Sequence, residues 1–404
     1  MTVRSLGLLI PLLACAQTRP WTELYPEEAA AMNKACGASE WAACRDHLLK
    51  LKDVLDGRAD IVYRLAKVEA SLGNRDAGMQ WLSLYSKTGL LLGDPAKDAV
   101  FAPWKSDAEF AAIVDRLKSV AAPVTHSELF ATLPEAEFIP EDIVFDARSN
   151  RFYISSVKRR KILSLSRDGH FADFASGLEW PVLALAVDSK QRRLWATITA
   201  VDEGKTALLK FDLDSGKLLK RYDPPEGKHE MGDMTLSPAG DAYVSDGLGS
   251  VFMVDPERDR LELLFGPGTF RSPQTPAFTP DGRLLVPDYS RGISIVDLKT
   301  RTAELLRHPP DLSLGGIDGL YLHGSTLIAI QNGTAPERLI RMELDRDLRT
   351  ILSWQTIEAN WKGLGDPTHG VLVEGRFYYI ANSGWDVKPG GKYEPATIRV
   401  MDWR

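Results

Sequence analysis

Between Trp21 and Val120 apolar residues recur every three to four positions, and beyond Pro123 they alternate every two. The first period is that of helices with one buried face; the second is that of half-buried strands. Pro26 opens a run of Glu and Ala, where proline is tolerated in a first helical turn. Ser39 reads as the N-cap of a helix from Glu40 to Leu55, with Trp41, Cys44, Leu48, Leu51 and Leu55 on one side. A further helix is predicted from Asp60 to Leu72, stopped by Gly73-Asn74, and another from Arg75 to Lys87, stopped by Gly89. Ala108 to Lys118 closes the helical stretch.

The period-two region repeats itself. Six segments share one strand character: Arg151–Ser156, Arg193–Thr197, Asp241–Asp246, Arg283–Asp288, Thr326–Gln331 and Arg376–Ala381. A second strand follows each: Lys161–Leu165, Leu208–Asp212, Val251–Asp255, Ile293–Asp297, Leu339–Glu343 and Ile398–Asp402. The anchors Asp146, Asp188, Ser237, Thr279, His323 and Glu374 are spaced by 42 to 51 residues. Four-stranded propeller blades repeat at about 40–50 residues, so six blades account for the chain from 125 to 404. The sixth blade runs out after its third strand, and Glu128–Glu135 is placed to supply the missing outer one. Sharing a blade between the two ends removes exposed sheet edges. The expected fold is mainly β: a six-bladed propeller behind a short helical unit at 21–120.

Residues 1–17 read as a targeting segment, with Arg4 ahead of the apolar stretch Leu6–Ala14, too short to span a bilayer. Ala14-Cys15-Ala16 fits ordinary signal peptidase, whereas Leu12-Leu13-Ala14-Cys15 resembles a bacterial lipobox that would leave Cys15 lipidated. Export is expected either way, to a periplasmic, secreted or lipid-anchored location, with Cys15 as the only route to a membrane. Cys36 and Cys44 then remain, either as a disulfide between consecutive helices or as two small buried hydrophobes. The formal net charge of −6 and the absence of a long basic block argue against a nucleic-acid partner. Nucleophile-elbow, zinc-helix and phosphate-loop motifs are absent, and His229-Glu230 lacks a second His. Asn332-Gly333-Thr334 matches a glycosylation sequon, a triplet frequent by chance.

In a propeller the residues just before each innermost strand converge on the axis. The six equivalent positions are Glu141, Leu183, Gly232, Gln274, Asp318 and His369, with Asp142, Asp233, Thr275 and Asp366 beside them. Carboxylate, amide and imidazole groups around one axis make an oxygen-rich site of the kind that suits calcium, magnesium or manganese.

Two resemblances follow. Leu65-Ala66, Ala70, Leu72-Gly73-Asn74, Ala77, Leu84 and Gly89 resemble a tetratricopeptide helix pair, a unit that packs on a neighbour or holds a protein partner. Pro140–Ile143, Gly232–Pro238, Gln274–Gly282 and Ile317–Leu320 resemble the senescence marker protein/gluconolactonase family and related NHL-like propellers. That resemblance implies metal-assisted hydrolysis of lactones or related esters on a small molecule in the tunnel. It implies one divalent cation, calcium foremost, with magnesium, manganese or zinc as alternatives. Glu141 and Asp318 match the family's ligand scheme, Gln274 stands where an Asn is expected, and Gly232-Asp233 replaces a third-blade Asn. Asp233 or His369 would serve as base toward water. The alternative is a non-catalytic scaffold that binds a ligand or protein through the propeller face and the helical unit.

Overall fold

A computed structural model describes residues 19–403. The targeting segment and the Cys15 readings lie outside the described residues. Five α-helices come first: α1 (Trp21–Gly37), α2 (Trp41–Val54), α3 (Ala59–Ser71), α4 (Arg75–Lys87) and α5 (Ala108–Val120), with a 3-10 helix at Ala99–Trp104 before the last. Consecutive helices pack against one another in order. Among the described residues no helix is long and apolar enough to cross a membrane.

Two local expectations fail here for a shared reason. The chain enters α1 five residues ahead of Pro26, which therefore lies inside the helix. Ser39 is not an N-cap but a left-handed residue (φ 58°) that closes α1, and Glu40 occupies the position before α2. The Glu40 amide returns to the Ala35 carbonyl at 2.9 Å, and a Cys36–Cys44 disulfide ties the two helices across this reversal. So tight a turn needs one residue at positive φ, and a side-chain cap cannot supply it.

Six four-stranded antiparallel sheets follow. Strand β1 (Glu128–Thr132) precedes blade one, which is β2 (Pro140–Asp146), β3 (Arg151–Ser156), β4 (Lys161–Ser166) and β5 (Phe171–Ala175). Blade two is β6 (Val182–Asp188), β7 (Arg193–Ala200), β8 (Lys205–Asp212) and β9 (Leu218–Tyr222). Blade three is β10 (Met231–Leu236), β11 (Ala242–Asp246), β12 (Ser250–Asp255) and β13 (Arg260–Phe265). Blade four is β14 (Ala277–Phe278), β15 (Leu284–Pro287), β16 (Ile293–Asp297) and β17 (Thr302–Leu305). Blade five is β18 (Ile317–His323), β19 (Thr326–Gln331), β20 (Arg338–Leu344) and β21 (Ile351–Ala359). Blade six is β22 (Gly370–Val373), β23 (Arg376–Ile380) and β24 (Thr397–Asp402), completed by β1 as its outer strand. The two ends of the propeller thus close the ring within one sheet.

The repeated sequence signature is visible in the bonds it makes. Asp212, Asp255 and Asp297, which end the third strands, accept the amides of Ser215, of Glu257 and Arg258, and of Lys299 and Thr300. Ser155 accepts the Asp142 amide, Thr197 accepts the Ala184 amide and donates to the Gly232 carbonyl, and Ser245 donates to the Gln274 carbonyl. These hydroxyls satisfy inner-strand backbone groups that the sheet ladder leaves open. They are needed because β2, β6, β10 and β18 each carry an irregular step near their start: 140–143, 182–185, 231–234 and 317–319. A bulge re-aims the residues within it. Here those residues are Glu141-Asp142, Leu183-Ala184, Gly232-Asp233 and Asp318.

Candidate functional site

Five blades carry the polar groups that meet at the axis. Glu141 and Asp318 come from the bulges of blades one and five, and His369 from the step into β22. A carboxylate oxygen from each acid and a His369 ring nitrogen all lie within 4.8 Å of one another. His369 is 1% exposed and committed on both sides of its ring. Its Nδ1 lies 2.9 Å from the Glu141 backbone carbonyl, which only accepts, so Nδ1 carries the hydrogen. Its Nε2 lies 2.8 Å from the Thr275 hydroxyl and 3.0 Å from an Asp233 carboxylate oxygen.

The two acids are held alike. The Asn332 side-chain amide donates to Asp318 Oδ2 at 2.6 Å, and the Trp385 indole N–H donates to Glu141 Oε2 at 2.5 Å. Neither acid's second oxygen has a hydrogen-bond partner among the described residues. Burial, then the facing charge of Asp318, pushes the Glu141 carboxyl above its ordinary range; burial and Asp233 push Asp318 up against the pull of His369. Burial opposes a charge on His369, yet Asp318, Asp233 and Asp142 together raise it well above the usual imidazole value. Three buried carboxylates around one imidazole leave the site short of positive charge.

Of the other axial positions, Asp142 is structural. Its two oxygens accept the amides of Ile143 and Leu185, which staples blade one to blade two. Leu183 and Gly232 bring no donor atom to the axis. Gln274 departs from expectation: its amide nitrogen turns back to the carbonyl and hydroxyl of Ser272. The inner strand of blade four is only two residues long, so Gln274 stays in the preceding loop and Thr275 reaches His369 instead. Asp366 lies farther out, where its amide meets Glu337 and its carboxylate meets Ser383. Burial and the charge of Asp386 raise both Asp366 and Glu337.

Below this polar layer the tunnel opens into a cavity of about 360 Å³, with Asp142, Leu185, Met234, Thr275 and Tyr321 in its wall. A larger hollow, about 930 Å³, lies among the turns of blades four and five at the opposite end of the strands. It holds none of the buried acids, so volume alone does not mark the site. Asn332 was not legible as a site residue, and Trp385 only as one of the tryptophans that could line a ligand mouth or pack between sheets. Asn332 stands out only as a sequon, and Trp385 is one of ten tryptophans.

No family model and no curated protein matches this chain. Among solved structures it is similar to a putative gluconolactonase, at 15% identity over 69% of this chain and 94% of that one, with TM-score 0.51. It is also similar to the PQQ-bound aldose sugar dehydrogenase of Streptomyces coelicolor, at 13% identity over 69% and 99%, with TM-score 0.50. At such identities the likeness is one of fold. It is a six-bladed propeller.

Proposed function

We propose that this chain is a divalent-cation-dependent hydrolase of lactones or related esters. The observation that carries this reading is the pair of acids, half-buried Glu141 and buried Asp318, each with one oxygen tied to an N–H donor and the other uncommitted beside His369. Two carboxylates with free oxygens suit a hard dication, and the crowding of Glu141 against Asp318 is the electrostatic reason to hold one. Glu141 and Asp318 would be the ligands, calcium the first candidate, with magnesium, manganese or zinc also compatible. When bound, the cation supplies Lewis-acid polarisation of a carbonyl and stabilisation of the developing oxyanion.

The protein's own groups do the rest. Asp233 takes the proton of the attacking water and returns it to the leaving oxygen as the acyl C–O bond breaks, and His369, its Nδ1–H tied to the Glu141 carbonyl, holds that carboxylate in place through Nε2. Thr275 fixes the imidazole from the blade-four side. Gln274 stays outside the ligand set in this reading. The buried disulfide-linked α1–α2 pair supports export to an oxidising compartment. The helix pairs, of tetratricopeptide type in this reading, form one unit at 21–120 beside the propeller unit at 125–404, and serve to hold a protein partner. Leu183 and Gly232, which bring no ligand atom, favour a second reading in which the same tunnel binds a small molecule without turning it over.

The test is calcium titration followed by thermal unfolding, with hydrolysis of simple aliphatic lactones and aryl esters measured in parallel. A hundredfold excess over Kd stabilises the fold by about 2.7 kcal/mol. Glu141→Gln and Asp318→Asn should abolish both that rise and the hydrolysis. They should leave cation-free stability equal or slightly higher, because one of two crowded charges is gone. A cation effect without hydrolysis would select the binding reading. No cation effect in the wild type, with large stability losses in both variants, would make the acids structural.

A further inference from the structure

The hairpin loops between the second and third strands are short in five blades, three to six residues each. Blade six breaks this rule. Its β23–β24 connection runs from 381 to 396, and near its start it places Trp385 over the axial acids. A long loop on an otherwise regular repeat is where function concentrates. This one is not slack at its base. Asn382 accepts the Thr397 amide at 2.8 Å, Ser383 donates to the Asp366 carbonyl at 2.8 Å and receives the Trp385 amide, and Gly384 takes a positive φ of 83°. These bonds aim one indole at one carboxylate oxygen.

Trp385 is 45% exposed, so packing is a poor explanation for its fixed position. Its N–H, however, completes a symmetry in the site. Asn332, itself engaged by the Tyr289 hydroxyl, holds one oxygen of Asp318; Trp385 holds one oxygen of Glu141. Each carboxylate is thereby left to offer a single oxygen in a set direction. Outer hydrogen bonds of this kind govern how well a first ligand shell binds its ion.

We infer that Trp385 is a positioning residue of the cation site, its indole N–H fixing Glu141 to present one oxygen beside Asp318. This rests on the cation reading above and adds a residue from outside the ligand set. It carries a spectroscopic consequence, because a dication arriving beside Glu141 changes the charge against which the indole N–H sits, and Trp385 emission responds.

The experiment uses the full chain and calcium chloride, with calorimetry for Kd and tryptophan emission as an independent signal. Wild type should bind with a change in emission. Trp385→Phe keeps the ring but not the N–H; it should weaken Kd by about ten- to a hundredfold. It should also lose the emission change and unfold without calcium at the wild-type midpoint. Manganese, which quenches nearby tryptophans, gives a second reading on the unmodified protein: quenching should saturate with the calorimetric Kd. An unchanged calcium Kd in Trp385→Phe overturns the role of Trp385 and leaves the cation site standing, even if that variant's midpoint falls. Absence of calcium, magnesium, manganese or zinc binding to the wild type overturns both.

Discussion

Arg338 shows how one side chain can join two parts of the molecule. It is fully buried, starts β20, and has no carboxylate partner among the described residues; burial alone pulls its pKa down to about 9. Its Nε donates to the Gln331 side chain at 2.8 Å, and its Nη1 donates to the carbonyls of Thr88 at 2.8 Å and Gly89 at 3.1 Å. Those carbonyls lie just past the C-terminal end of α4, so the negative end of the helix dipole supplies the counter-charge that no acid among the described residues provides. Gly89 has no room for a side chain there, since a Cβ would lie 2.7 Å from the guanidinium. Arg338→Ala should cost about 3 kcal/mol, combining a cavity with orphaned carbonyls. Arg338→Lys should cost nearly as much, because an ammonium lacks the planar fork. Urea midpoints of the two variants check this, and a loss under about 1 kcal/mol in both would refute the clamp.

At the scale of elements, β1 matters more than its five residues indicate. It pairs with β24 from Glu128↔Val400 to Thr132↔Thr397 and carries Phe130 between Tyr378 of blade six and Phe152 of blade one, at 4.9 and 5.2 Å between rings. Removing 128–132 opens the ring at a sheet edge and empties that aromatic contact. The expected loss is about 3 kcal/mol or more, with aggregation through the bared edge of β24. Denaturant unfolding and light scattering measure it. An unchanged midpoint would mean that the propeller does not depend on this strand for closure.

At the scale of the whole molecule, the helical layer sits on the end of the propeller where the inner strands begin. Trp21 reaches the Thr269 carbonyl, Arg58 the Ser290 carbonyl, the Leu91 amide the Ala335 carbonyl, and Asn360 the Val120 carbonyl. A half-buried ion pair lies in this interface: His308 Nε2 and Asp56 Oδ2 at 3.1 Å, with Arg291 and Asp311 also near. Burial works against a charged His308, but the close Asp56 carboxylate prevails, and the His308 pKa is raised above 6.5. A raised imidazole contributes stability that is complete below about pH 6.5 and disappears as pH climbs through the folded value. Thermal stability should therefore fall as pH rises above about 6.5 in the wild type. Asp56→Asn should flatten that fall, and an identical slope in the variant would show that the pair does not couple pH to docking.

How much of this was legible depends on the reach of each signal. Period-two alternation, recurring turn acids and the spacing between anchors are local and sixfold repeated, so blade number, strand identity and closure by the segment at 128–135 could be read from residues alone. Glu141, Asp318 and His369 were found by the same equivalence, because a repeat puts its first inner residues on one axis. Side-chain direction was decided by tertiary structure. The bulges swing Glu141 and Asp318 inward, while the two-residue β14 leaves Gln274 bonded to Ser272 and passes its place to Thr275. Asn332 and Trp385 enter the site from loops 14 and 244 positions away from the acids they hold. Neither carries a local pattern, because what selects each is the position of one carboxylate oxygen, which exists only once the ring has closed.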